Sequence, residues 1–137
     1  MFDDAESGNI TAQHELFMDV EERDSAIGSA FGTRKRAILT LDYRVAEPRN
    51  ATPQEVKLTE EADDLIKGLD EFEDLLIDMM DAVGHGFSAI EVEWELINGL
   101  QYPVSFTHRP QTWFLWDKDD NLMLKTPSNQ QGEALWP

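Results

Sequence analysis

The sequence has no cysteine, few basic residues and no long hydrophobic run. The lack of cysteine excludes disulfide bonds and thiolate metal sites but does not fix the cellular compartment. No apolar stretch approaches the roughly 18 residues that a membrane-spanning helix needs. The first residues, MFDDAESGN, have neither the basic nor the apolar region of a signal peptide. These absences predict a soluble, cytoplasmic protein.

Basic residues are scarce relative to acidic ones. The 137 residues include 28 acidic and 11 basic side chains, which gives a formal net charge of −17. Such a surface repels phosphate groups and anionic lipids, so we expect no unaided nucleic-acid binding and no membrane binding. Residues 25–49 are the exception, because their basic side chains outnumber the acidic ones. We call this segment the basic island, and its expected partners are the acidic segments around it, in the same subunit or a neighbouring one.

Apolar patterning is what the sequence does contain. Apolar residues make up 41% of the chain, including four Trp and seven Phe, which indicates a folded protein. From Leu69 to Val83 they recur at helical spacing, and from Ile90 to Leu96 they alternate with glutamates as in a half-buried strand. We expect this helix and strand to form the centre of the core. The expected core residues are Phe72, Leu76, Met79, Ile90, Val92 and Trp94.

Most helix boundaries can be predicted from local signals. Residues 1–12 are polar and acidic and predict a flexible acidic arm, while residues 13–137 predict a single α+β domain. The first long helix should begin near Gln13. Asp24 is a candidate cap for a second helix ending near Leu39. The remaining helix signals are a capping box formed by Thr52, Pro53 and Glu55, a helix end near Gly68 and another at Gly84.

Strand signals dominate the second half of the sequence. Asn98-Gly99 predicts a type I′ turn, with a return strand from about Tyr102 to Arg109. A second hairpin should pair Trp113–Trp116 with Leu122–Lys125. A short strand is also predicted at 41–46, and the tail at 126–137 is predicted to be a loop. The predicted fold is therefore α+β, with N-terminal helices packed on an antiparallel β-sheet of two hairpins.

No motif in the sequence indicates catalysis. No phosphate-binding loop or Ser/His/Asp arrangement is present, and His14, His85 and His108 lack metal-ligand spacing. We therefore predict a protein that is not an enzyme, with no catalytic, cofactor-binding or metal-binding residues and no cofactor.

An alternative is a carboxylate metal site on the predicted strand, formed by Glu91, Glu93 and Glu95. Alternate residues on a strand are about 7 Å apart, which is too far for three side chains to share one ion comfortably. A solvated sheet face, paired across strands with Arg109 or Lys125, is the favoured interpretation.

Surface contacts are the remaining candidate function. The basic run of the island lies towards the end of its helix, where cations stabilise the helix dipole and can contact another subunit. The aromatic run Trp113, Phe114 and Trp116 favours core packing or an interface with another subunit or segment over stacking on a base or a sugar. The candidate subunit contacts are Arg34, Lys35, Arg36, Trp113 and Trp116.

Several stretches, taken together, resemble the portal proteins of Mu-type phages and prophages. In order they contain Glu-Arg-Asp, Arg-Lys-Arg, Gly-Phe-Ser with Glu-x-Glu-Trp, His-Arg-Pro-Gln-x-Trp-Phe and a closing GEALWP. The resemblance is best over residues 18–50 and 72–116. It implies a structural role in a ring of about twelve subunits at one capsid vertex. The implied partners are other portal subunits, the capsid, and the packaging terminase or head-completion proteins, first in the host cytoplasm and then at the virion portal vertex.

Two features depart from this resemblance. The relatives are several times longer, so we expect this chain to be an N-terminal, wing-region portion that continues past Trp136-Pro137. Tyr43 stands where the family more often has tryptophan, a conservative change. The alternative from another class is a stand-alone acidic adaptor or inhibitor that binds a basic protein partner.

Overall fold

The structure is a computed structural model that describes the backbone of residues 2–135 and the side chains of residues 3–135. Its helices are α1 (Phe2–Glu6), α2 (Thr11–Arg23), α3 (Ser25–Arg36), α4 (Pro53–Lys67), α5 (Phe72–Met79) and α6 (Ala82–His85), with 3₁₀ turns at Ala37–Thr40 and Gln111–Trp113. Its strands are β1 (Ala89–Ile97), β2 (Leu100–Arg109), β3 (Phe114–Trp116), β4 (Leu122–Thr126) and β5 (Asn129–Ala134). Most helices precede the strands and all strand pairs are antiparallel. The α+β prediction is confirmed.

Two helices begin at the predicted caps. The Asp24 carboxylate accepts hydrogen bonds from the backbone N–H groups of Ala26 and Ile27, at 2.9 and 3.1 Å, at the start of α3. At the start of α4, the Thr52 hydroxyl accepts from the Glu55 N–H while the Glu55 carboxylate accepts from the Thr52 N–H. These contacts satisfy N–H groups that a helix start otherwise leaves unpaired.

The central helical pattern is divided in two. Leu69–Val83 was expected to form one helix ending at Gly84, but the structure has α5 and α6, and Gly86 is the residue that ends α6 with φ +85°. Gly84 serves a packing role instead. A Cβ at that position would lie 2.5 Å from Cε1 of the Phe31 ring, so only glycine lets α6 approach α3 this closely.

The strands form two separate sheets, one of β1–β2 and one of β3–β4–β5. The first contains the predicted type I′ turn, with positive φ at both Asn98 (53°) and Gly99 (84°). In the second, β3 and β4 form the predicted second hairpin. The expected loop tail was wrong over Asn129–Ala134, because ladder pairing with β4 makes a strand of a polar sequence with low strand propensity. The end of that tail, Trp136-Pro137, lies outside the described residues.

The prediction of a strand at residues 41–46 is also wrong. Residues 42–48 have no regular secondary structure and no strand partner. The backbone N–H of Val45 donates instead to Asp63 Oδ1 on α4, at 2.9 Å. The Asp63 carboxylate thus accepts the hydrogen bond that a neighbouring strand would otherwise accept.

The expected core is only partly buried. Met79 and Trp94 are 51% and 60% exposed, and the buried hydrophobic side chains within residues 3–135 are Ile10 and Phe114. The reason is length: the eight residues of α5 extend about 12 Å, whereas the nine residues of β1 extend about 30 Å. One short helix leaves much of the hairpin uncovered, and residues 93–101 are all exposed.

The first twelve residues have defined structure. They include α1, and the Gly8 carbonyl accepts a hydrogen bond from the Trp116 N–H at 3.0 Å. Ile10 is only 9% exposed. The flexibility of this acidic arm stays a prediction, although the residues from Gly8 onwards contact the rest of the chain.

Much of the chain's surface is accessible. The accessible area is 10255 Å², whereas a self-contained monomer of this mass would expose about 7,200 Å². No helix within the described part of the chain is long and apolar enough to cross a membrane. The chain exposes about 3,000 Å² more than a compact monomer of its mass.

Candidate functional site

The three residues of the basic run have different environments. They occupy the last turn of α3, and Arg34 and Arg36 are exposed, with no ion pair to any described residue. Lys35 points inward and is 16% exposed, with its Nζ 2.7 Å from Asp81 Oδ1 and 3.2 Å from Glu21 Oε1. Burial lowers the pKa of Lys35, but its hydrogen bonds to the two carboxylates outweigh burial, so the pKa is raised. Lys35 is thus paired within the chain.

The two candidate tryptophans also differ. Trp113 is 45% exposed, and the Arg109 guanidinium lies over its ring at 5.5 Å. Trp116 is half-buried and meets the Phe87 ring edge to face, with 6.3 Å between centroids. Trp113 therefore presents an open aromatic surface, whereas Trp116 is mainly an internal packing residue.

A buried polar cluster is the site that sequence reasoning missed. We call it the histidine–carboxylate cluster. Its members are His14 and Glu21 on α2, Lys35 on α3, Asp81 before α6, His85 in α6, His108 in β2 and Gln111 after β2. The sequence held two weak signals for it: His14 and Glu21 are seven residues apart on one helix face, and Asp81 and His85 are four apart. Neither spacing indicates that the two pairs meet.

Asp81 connects most of the cluster. Its Oδ1 accepts from Lys35, while its Oδ2 accepts from Gln111 Nε2 and lies 3.5 Å from His108 Nε2. Burial raises the pKa of Asp81, but the hydrogen bonds from Lys35 and then Gln111 outweigh burial, so the pKa lies below its ordinary value. The carboxylate is therefore ionised at neutral pH and joins α3 to the segment that follows β2.

The two histidines at the centre are in direct contact. Their Nδ1 atoms are 3.0 Å apart, and the residues are only 3% and 8% exposed. One ring must donate and the other accept, so a single proton lies between them. Burial, followed by repulsion from His85, lowers the pKa of His14. The contact between the two rings joins α2 to α6.

The cluster also lines an open cleft. The cleft has a volume of ≈ 360 Å³ and is bordered by residues from α2, α6 and the end of β2, including Met18 and Pro110. The Nε2 atom of His85 lies 3.9 Å from Glu21 Oε2. The site thus combines imidazole nitrogens and carboxylate oxygens, and solvent can reach it.

The glutamates of β1 form no comparable site. Glu91 accepts from Arg109 Nε at 2.6 Å, so the predicted cross-strand pairing is confirmed with Arg109. The other predicted partner, Lys125, donates instead to the Thr11 hydroxyl at 2.7 Å. In the part of the chain that the structure describes, metal-ligand atoms converge at Glu21, Asp81 and His85, within 4.8 Å of one another, and not at the β1 glutamates.

A second exposed surface lies at the end of the β1–β2 hairpin. We call residues 93–101 the hairpin end. Its large apolar side chains are exposed: Trp94 (60%), Leu96 (68%), Ile97 (41%) and Leu100 (62%).

Comparison with known proteins gives a consistent result. The family model for the portal protein of Mu bacteriophage matches residues 14–137. The portal protein of Escherichia phage Mu is 36% identical over 138 residues, which cover 100% of this chain and 27% of that protein. The Mu-like prophage FluMu protein gp29 of Haemophilus influenzae is 37% identical over 113 residues, which cover 81% of this chain and 22% of that protein. The chain therefore spans 22–27% of the length of the curated relatives it matches.

Proposed function

We propose, from the premise that this chain belongs to the family of Mu bacteriophage portal proteins, that it forms a wing-type portion of a portal ring at the head–tail vertex. Its role is structural: it holds subunits together while DNA passes during packaging and ejection. The observation that carries this proposal is the large accessible area, which suits a part of an assembly better than a self-contained molecule.

The size of the uncovered surface supports the assembly role. The 10255 Å² of accessible area exceeds the compact-monomer value by about 3,000 Å². Stable interfaces between proteins bury areas of this order in total. The hairpin end supplies apolar contact area, because each of its large side chains gains hydrophobic stabilisation only when another surface covers it.

We propose Arg34, Arg36 and Trp113 as the residues that contact a neighbouring portal subunit. Both arginines are exposed and free of intrachain ion pairs within residues 3–135, and the surrounding chain is strongly acidic. A neighbouring copy therefore offers carboxylates of the opposite charge. Lys35 and Trp116 are left out of this contact, since their main contacts lie inside the chain.

The remaining partners follow from the family premise. We propose contacts with the capsid and with the packaging terminase or head-completion proteins, in the host cytoplasm during assembly and then at the virion vertex. The net charge of −17 favours DNA passage over DNA binding, because like charge keeps the duplex from adhering. No catalytic step is part of this proposal.

Charge reversal in the full-length portal protein tests the subunit contact. The double variant Arg34→Glu/Arg36→Glu should lower the yield of closed rings, measured by light scattering and negative-stain imaging. The matched control is Lys57→Glu/Lys118→Glu, which makes the same change in net charge at exposed positions outside the basic island. Equal ring yield for the test variant and wild type at physiological salt would refute the contact. A full-length protein that stays monomeric would refute the portal role and favour the adaptor.

A further inference from the structure

We propose that Glu21, Asp81 and His85 bind a divalent transition-metal ion, with Zn²⁺ as the best fit, and that this ion joins α2 to α6. The inference does not depend on the portal assignment. It rests on the positions of three ligand atoms, on the contact of His85 with the buried His14, on the buried Nε2 atom of His108 and on the charge of the site.

The distances suit a metal ion better than a hydrogen bond. One ligand atom from each of the three residues lies within 4.8 Å of the others. His85 Nε2 and Glu21 Oε2 are 3.9 Å apart, beyond the length of a hydrogen bond. Zn²⁺ lies about 2.0–2.2 Å from nitrogen and carboxylate ligands. An ion between these two atoms therefore requires only small side-chain movements.

The carboxylate oxygens are already divided between two roles. Lys35 binds Glu21 Oε1 and Asp81 Oδ1. Glu21 Oε2 accepts no hydrogen bond from any described residue and is the oxygen that faces His85. Asp81 Oδ2 lies close to Gln111 and His108. Lys35 therefore orients both carboxylates without occupying the oxygen nearest the imidazole.

The imidazole of His85 is prepared for coordination by its surroundings. Its side chain is only 5% exposed, and its Nε2 has no hydrogen bond to any residue in the described chain. The contact between the Nδ1 atoms of His85 and His14 holds the ring from the other side. When His85 Nδ1–H donates to His14, the free lone pair of His85 is on Nε2, the atom that faces Glu21. A hydrogen bond on the second ring nitrogen is the usual way in which proteins orient a metal-binding histidine.

A buried nitrogen atom of another histidine lies at the same carboxylate. His108 Nε2 is inaccessible to solvent and has no hydrogen-bond partner among residues 3–135, yet it is 3.5 Å from Asp81 Oδ2. A buried nitrogen without a partner costs free energy unless something else satisfies it. A water molecule on the bound ion can fill that role, and the ≈ 360 Å³ cleft has room for it.

The charge and ligand types determine the class of ion. Glu21, Asp81 and Lys35 give the site a formal charge of −1, which a divalent cation reverses to +1. Mixed nitrogen and oxygen ligands favour Zn²⁺ over Mg²⁺ and Ca²⁺, which prefer oxygen alone. Because the Lys35 ammonium repels the ion, we expect a dissociation constant on the order of micromolar rather than nanomolar.

Metal titration of the untagged protein in its full natural length tests the site. Calorimetry with Zn²⁺ should show one equivalent bound per chain, and Co²⁺ should give a visible absorption spectrum with nitrogen and oxygen ligation. The His85→Gln variant should bind at least tenfold more weakly and lose the Co²⁺ spectrum. The control, Glu93→Gln, removes an exposed carboxylate from β1 and should bind like wild type.

A second variant protects the test against misfolding. If circular dichroism shows that His85→Gln is unfolded, Glu21→Gln replaces it, because Glu21 lies at the more accessible side of the cleft. The proposal is overturned if folded wild type binds no Zn²⁺ below millimolar concentration. It is equally overturned if removing the His85 or Glu21 ligand weakens binding no more than Glu93→Gln does, since the ion would then be held by acidic surface alone.

Discussion

The histidine–carboxylate cluster and the hairpin end reverse the usual positions of polar and apolar groups. In the cluster, Asp81, His14 and His85 are buried or nearly so and hydrogen-bonded to one another or to Lys35 and Gln111. At the hairpin end, the side chains of Trp94 and Leu96 are 60% and 68% exposed. Burying a polar group costs free energy unless the group is hydrogen-bonded or paired. An exposed apolar group stabilises the protein only when another surface covers it. Asp81, His14 and His85 are therefore paired within this chain, whereas the apolar side chains of the hairpin end have no such cover.

The same contrast explains what joins the helices. Few apolar side chains are fully buried, so directional contacts contribute much of the specificity of packing among α2, α3 and α6. Lys35 contacts carboxylates from two other parts of the chain, and the histidines meet across a sequence separation of 71. Removing a group from this network should cost far more stability than removing one from the hairpin end.

The largest expected effect comes from breaking the cluster at its centre. The Asp81→Ala variant leaves the Lys35 ammonium with one carboxylate and leaves Gln111 Nε2 without its Asp81 partner. We expect the free energy of unfolding to fall by about 3 kcal/mol, the usual cost of removing one partner of a buried charge pair. Urea denaturation at neutral pH measures this loss.

Glu93→Ala is the matched control, because it removes an exposed carboxylate from β1. Its free energy of unfolding should stay within about 0.5 kcal/mol of wild type, as is usual for surface substitutions. If Asp81→Ala costs no more than this control, the cluster does not stabilise the fold and the contrast between the two regions fails.

A change at the hairpin end should affect assembly more than folding. The double variant Trp94→Ser/Leu96→Ser removes two exposed apolar side chains, so its free energy of unfolding as a monomer should change by no more than about 0.5 kcal/mol per residue. The yield of closed rings by full-length protein should fall, because the covered surface is lost. Size-exclusion chromatography with light scattering measures the yield. A large loss of monomer stability with normal ring yield would mean that the hairpin end packs within its own subunit.

The smallest effect on stability is expected at Glu55, an exposed carboxylate that can be compared with the half-buried carboxylate of Asp81. The backbone N–H of Thr52, and then its hydroxyl, lowers the pKa of Glu55 below the ordinary value of 4.5. Because the folded-state pKa is depressed, this contribution is present above pH 4.5 and is lost as the pH falls through the folded-state value. Wild type should therefore lose slightly more stability between pH 5 and pH 3 than Glu55→Gln does, because glutamine at position 55 has no carboxylate to titrate. Equal slopes in urea denaturation over that range would show that the capping box adds nothing.

Short-range features were predictable because neighbouring residues decide them. The Asp24 cap, the Thr52 capping box and the Asn98-Gly99 turn each depend on groups within three or four positions of one another. The family was also recognisable from motifs along the chain, and the match over residues 14–137 confirms it.

The errors concern contacts between distant segments. Polar residues 129–134 form a strand because β4 lies beside them, and residues 41–46 form none because Asp63 takes the Val45 N–H. Trp94 has the pattern of a core residue but is 60% exposed, because no other element covers it. In each case a tertiary neighbour, or the lack of one, overruled the local preference.

The sequence by itself determined the α+β class, the helix caps, the first hairpin turn and the portal family. Each of these depends on patterns and motifs formed by residues close together in the sequence. Only the tertiary structure decided that His14 meets His85, that Lys35 turns inward while Arg34 and Arg36 remain outside, and that the hairpin end stays uncovered. The physical reason is that a helical or alternating pattern specifies which face of an element is apolar. It does not specify which other element, if any, will cover that face.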